Sequence, residues 1–262
     1  AVQRWDFLGP MAWMNGIPFS EASGMVSQVI RRFNDIRSSP TFLCKANNFL
    51  AVYYNGPNAG TGRMISYNTS RWQLMIQAGS GDEAGFPKDM SPGISWYSNS
   101  FDVKTPNKWR PSIGRIGSPG NKIFCADGSR FAGTDTPPDY DLDVQAGWGG
   151  TFSDTGAFAD GPGRSRSWDR SFAPGNYPIT AGKIDARVYG FRHSSAEPPA
   201  GAKANVFKTN AILHDGHGET MGDLKFSNPQ LWLPQGSTAE PAALWADTRA
   251  QFGYTSTIKI GP

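Results

Sequence analysis

Glycine and proline punctuate this chain more densely than a helical architecture tolerates. There are 31 glycines and 20 prolines among 262 residues, about a fifth of all positions. Glycine loses the most backbone entropy on ordering, and proline removes a hydrogen-bond donor and clashes with the preceding helical turn. Helical bundles, coiled coils and solenoids of helical repeats are excluded on that ground. Disorder is excluded too, because 16 Phe, 9 Trp and 8 Tyr give the chain ample apolar surface to bury. An ordered, loop-rich domain with short strands remains. At this length a single unit over residues 1–262 is the simplest organisation, and it buries about 70–75% of the surface its unfolded form exposes.

Charge narrows the partners. The balance is 25 basic against 22 acidic residues, a formal +3, with no basic run. Nucleic acid demands a concentrated basic footprint and is not an expected partner. No stretch approaches the roughly 20 apolar residues that cross a bilayer as a helix. The most apolar run, Phe49–Tyr54, has the length of a strand.

One segment carries helical periodicity. Ser20 suits a cap, and Ala22, Met25, Val26, Val29, Ile30, Phe33 and Ile36 recur on one face, with Arg31, Arg32 and Arg37 outside. Ser38-Ser39-Pro40 ends it. Short β-like pieces follow at 41–44, 50–54, 64–67 and 72–77, separated by turn residues, which predicts an antiparallel sheet. Lys122–Ala126 reads as a further strand, left through Asp127-Gly128. Residues 133–182 are rich in glycine and proline and read as a long loop insertion. Strands are expected at 184–191, 210–214 and 255–260, and a last helix at 241–252. The fold class is therefore α+β, an N-terminal amphipathic helix packed on an antiparallel sheet.

Several constellations could carry chemistry. All three histidines fall within 25 residues: His193, His214 and His217. With Asp215 they make a candidate transition-metal set for a hydrolase. The competing reading is structural: Asp215-Gly216 is a favoured hairpin dipeptide, with Gly216 supplying a positive φ. Asp135, Asp139, Asp141 and Asp143 alternate along one loop and could converge on calcium, although the spacing is not that of an EF-hand. Cys44 and Cys125 are too few for a disulfide scaffold; one bridge between them and two buried thiols both stay open. No nucleophile elbow and no phosphate-binding loop occurs. The tryptophans are spread along the chain; Trp96-Tyr97 and Trp148, placed in loops, could face a sugar.

Three segments, taken in order, resemble one family. Pro40-Thr41-Phe42-Leu43-Cys44 with Ile65-Ser66-Tyr67-Asn68 is the first. Arg110-Pro111-Ser112 with Asn121–Gly128 is the second. Phe191-Arg192-His193 with Asn210-Ala211-Ile212-Leu213-His214-Asp215-Gly216-His217 is the third. Together they resemble prepilin-like proteins bearing a C-terminal His-x(9)-Asp-Gly motif, which are similar to the major pseudopilin of bacterial type II secretion. Here 21 residues separate His193 from Asp215, which fits an insertion around 194–209. The resemblance implies a pilin-like head and a structural role for His193, Asn210, Asp215, Gly216 and His217. It further implies a non-enzymatic subunit of an extracellular or cell-surface filament or lattice, partnered by copies of itself or by other envelope subunits. Pilin-like chains begin with a hydrophobic helix that this sequence lacks. The membrane is thus expected to be met only through such a helix, which was trimmed, lost in maturation or dispensed with. The alternatives are a secreted carbohydrate-binding β-rich module and, third, the metal-dependent hydrolase.

Overall fold

A computed structural model describes residues 8–17, 34–36, 38–46, 50–52, 61–63, 65–69, 71–73, 103–106, 109–130, 156–158, 189–193 and 207–262. These combine short helices with antiparallel sheets, an α+β arrangement. The main sheet has four strands: β3 (Ile65–Asn68), β5 (Ile123–Arg130), β6 (Lys208–Leu213) and β7 (Gly218–Gly222), in the order β3-β5-β6-β7. A three-stranded sheet joins β4 (Val103–Lys104), β8 (Thr238–Ala239) and β9 (Ile258–Lys259), and a two-stranded ribbon pairs β1 (Leu50–Val52) with β2 (Thr61–Arg63). Among the described residues no helix is long and apolar enough to cross a membrane.

The strands obey their side-chain period. In β6, Thr209, Ala211 and Leu213 are buried while Asn210 and Ile212 face outward. Asp215-Gly216 closes β6 onto β7 as the dipeptide predicts: Gly216 has φ 92° and its N–H donates to Leu213 C=O at 2.9 Å. β5 differs from expectation. Asp127-Gly128 does not end the strand, which continues to Arg130 because β3 pairs with it through that stretch.

The N-terminal regions depart further. Pro40–Phe42 forms a 3-10 turn where a strand was expected, since Pro40 presets the turn and Leu43 N–H returns to Pro40 C=O. Arg71–Gln73 is likewise a 3-10 turn. The helix expected over 20–37 is described only near its end, where Asn34–Ile36 is helical and Ile36 is buried. Its packing on the sheet lies outside the described residues. A short helix not anticipated from the pattern, α1, runs over Leu8–Met14 and leaves Trp13 and Met14 exposed.

The C-terminal block is continuous and supplies much of the core. It contains α2 (Asp223–Phe226), α3 (Pro229–Trp232) and α4 (Ala246–Phe252). Asn228 starts α3: its Oδ1 accepts from Gln230 N–H at 3.0 Å, and Pro229 occupies the first turn, where no donor is missed. The expected helix at 241–252 is split into a 3-10 turn at Pro241–Ala243 and α4, which ends on left-handed Gly253. Trp232 is fully buried, its ring 4.7 Å from that of Tyr189 and 4.9 Å from that of Phe226. Its indole N–H donates to Phe226 C=O at 2.6 Å.

Within the expected loop insertion, Gly156–Phe158 are buried and contribute to this core. Gly156 has φ 113°, and a Cβ there would lie 2.8 Å from the Trp232 ring. Trp232→Ala should lower stability by about 3–5 kcal/mol, from lost transfer energy plus the cavity left behind. Gly156→Ala should also destabilise, whereas exposed Ile212→Ala should change stability by less than about 1 kcal/mol. Urea denaturation followed by tryptophan fluorescence or circular dichroism measures all three.

Candidate functional site

Asp127 sits where the central ladder forks. β5 pairs with β6 as far as Ala126↔Ala211. Beyond that point the segment 189–193 enters between them. Gly128 bridges Tyr189, Gly190 N–H donates to Asp127 C=O at 2.8 Å, and His193 N–H donates to Lys208 C=O at 3.0 Å. At the fork Asn210 N–H turns to the Asp127 side chain, reaching Oδ2 at 2.9 Å. Arg192 Nη2 donates to Gly128 C=O at 2.9 Å and ties the inserted segment to β5.

The fork gathers three reactive side chains from distant parts of the chain. His193 Nε2 lies 2.9 Å from Asp127 Oδ2 and 3.8 Å from Cys44 Sγ. All three donor atoms fall within 4.8 Å of one another, the only such His/Cys/Asp/Glu group among the described residues. Asp127 is 2% exposed. Burial pushes its carboxyl above the usual range, opposed by the Asn210 N–H and by His193 and Arg192 beside it. Tyr67 stands opposite Asp127 on β3, its hydroxyl pushed upward by burial and then by the Asp127 charge.

A thiol–imidazole–carboxylate trio invites comparison with a nucleophilic triad. In a triad the two ring nitrogens face opposite partners, one the nucleophile and the other the acid. Here Nε2 faces both Cys44 and Asp127, so the relay geometry is absent. The donor set, one sulfur, one imidazole nitrogen and one carboxylate oxygen, is instead of the kind that binds zinc or a similar transition metal.

The hairpin turn holds a separate cluster. Asp215 Oδ1 accepts from His217 N–H at 3.1 Å and lies 2.7 Å from His217 Nδ1. The backbone bond is the main reason that the exposed Asp215 carboxyl sits below the usual range. His214 turns inward, with Nε2 against Gln73 Oε1 and its ring edge-on to Phe124 at 5.3 Å. Burial lowers His214 to about 4, so it is neutral at pH 7 and Nε2–H donates to Gln73. Lys122 is buried beside this turn; its ammonium donates to Gln230 C=O at 2.8 Å and Gly261 C=O at 3.1 Å, and burial lowers it to about 8.

The candidates from the sequence therefore separate. His193 does not join His214, Asp215 and His217 in one metal set; its Nε2 reaches Cys44 and Asp127 instead. Asn210 contributes its backbone to the fork, and its side-chain oxygen accepts from Thr220 at 2.7 Å. Cys44 and Cys125 are not bonded to each other: Cys125 is buried in β5, and Cys44 faces His193. Asp135, Asp139, Asp141 and Asp143 lie outside the described residues, as do Trp96, Tyr97 and Trp148. Trp72, Trp109 and Trp232 are buried. Asp127 is the site residue that the sequence does not single out. Its one signal is a carboxylate closing the run Ile123-Phe124-Cys125-Ala126, and Asp127-Gly128 has the form of a turn.

Two buried bases set the pH response. His214 titrates near 6.5 when unfolded and about 4 when folded, so the unfolded state takes its proton first as pH falls. Its contribution to stability is complete above 6.5, declines from 6.5 to about 4, and is flat below. Lys122 titrates near 10.5 unfolded and about 8 folded, so stability should rise with pH between 8 and 10.5. Urea midpoints across pH should lose the lower slope in His214→Gln and the upper one in Lys122→Met. No protein-family model, no curated protein and no solved structure matches this chain, and a functional reading rests on the residues themselves.

Proposed function

We propose that this chain is the globular head of a pilin-like structural subunit, exported and assembled with copies of itself or with other envelope subunits in a filament or lattice. The observation that carries this reading is spatial. Residues of all three resemblance-bearing segments meet at one place: Cys44 from the first, Asp127 from the second, and His193 and Asn210 from the third. The first also lends Tyr67, paired with Asp127 across β3 and β5. Segments that resemble a structural family for architectural reasons are expected to converge in this way, since a sheet fork needs all its members at once.

The antiparallel sheet suits such a head, and aromatic-rich, polar loops suit broad, wet subunit contacts. Electron microscopy and size-exclusion chromatography of the native protein isolated from its source should reveal polymers or lattices. Strictly monomeric behaviour of that material would overturn the proposal.

A further inference from the structure

We propose that Cys44 Sγ, Asp127 Oδ2 and His193 Nε2 bind one zinc ion, which clamps the N-terminal turn and the 189–193 segment to β5. A tetrahedral zinc with bonds of about 2.3 Å to sulfur and about 2.0–2.1 Å to nitrogen and oxygen places its donors about 3.3–3.6 Å apart. The sulfur–nitrogen separation of 3.8 Å and the nitrogen–oxygen separation of 2.9 Å straddle that range. All three donors already lie within 4.8 Å of one another, so side-chain adjustment at Cys44 and His193 brings them to the bound geometry. The His193 side chain is 28% exposed, so solvent reaches the cluster and a water can supply the fourth donor.

The ligand chemistry selects the metal. A thiolate disfavours calcium and magnesium, which prefer oxygen, while zinc accepts sulfur, nitrogen and oxygen together. Charge favours it as well: thiolate plus carboxylate balance a divalent ion, which compensates the carboxylate that the fold has buried at Asp127. Two supports are present: Asn210 N–H holds Asp127 Oδ2, and the bond from His193 N–H to Lys208 C=O holds the backbone that carries the imidazole. Binding displaces the Cys44 thiol proton to solvent, and the proton shared between His193 Nε2 and Asp127 Oδ2 is given up as well, so that Nε2 binds through its lone pair with one imidazole proton on Nδ1.

This site is independent of any role in assembly, and its test uses the folded full chain alone. Cobalt(II) titration of metal-free protein should saturate at one equivalent and develop a thiolate-to-cobalt charge-transfer band in the near ultraviolet. Excess zinc should abolish the band. Cys44→Ser should remove it, Cys125→Ser should retain it, and His193→Ala should weaken cobalt binding by more than about tenfold. Zinc should also raise the melting temperature of the wild-type chain, a readout that needs no variant to fold. A wild-type chain that gives no band at saturating cobalt overturns the proposal. So does a band that survives Cys44→Ser or disappears in Cys125→Ser, or a melting temperature indifferent to excess zinc.

Discussion

The buried carboxylate of Asp127 is the constraint around which the rest is arranged. Removing a carboxylate from water without partners is far more costly than any single contact can offset, so the fold must bring partners to it. It does so from two directions: Asn210 N–H leaves the regular ladder to bond the side chain, and His193 arrives on a segment inserted between β5 and β6. The ladder forks because this demand competes with strand pairing. Cys44, carried by the turn after Pro40, completes the group.

The fork is positioned by the aromatic core beneath it. Tyr189 and Phe191, on the same inserted segment as His193, pack against Phe226, and Tyr189 also meets Trp232. Core and site therefore share one stretch of backbone: Tyr189 and Phe191 point into the apolar cluster while His193 reaches Asp127. The C-terminal block locks the other side. Asn228 starts α3 and also accepts from the Tyr254 hydroxyl, and the buried Ser227 and Thr248 hydroxyls bond across α2 and α4. Lys122 fastens the entry of β5 to Gln230 and Gly261 near the chain's end.

How much of this was legible in the sequence varies by element. The β6–β7 turn was readable, because Asp215-Gly216 is a local signal and a strand is expected just before it at 210–214; the returning strand β7 and the burial of Thr209 with exposure of Ile212 were not. The α3 cap is equally local, carried by the Asn228-Pro229 pair. The turn at Pro40–Phe42 was hidden because Thr, Phe, Leu and Cys all suit strands, and only the proline argued otherwise. Asp127 was hidden for a different reason: Asp-Gly is a turn signal wherever neighbouring strands do not claim it, and here β3 claims it. The four-residue set of His193, His214, Asp215 and His217 was a proximity in sequence that the fold did not convert into proximity in space.

By itself, the sequence determined the fold class and the texture of the chain: short strands, frequent turns, a tight hairpin, and enough aromatic surface for a core. These follow from interactions between residues a few positions apart, such as backbone φ preferences, side-chain alternation and turn hydrogen bonds. Tertiary structure alone decided that Cys44, Asp127 and His193 would meet. Their separations along the chain carry no periodic signal, and their meeting depends on a buried charge finding its donors across a forked sheet. That is a long-range electrostatic requirement, which no local pattern of residues records.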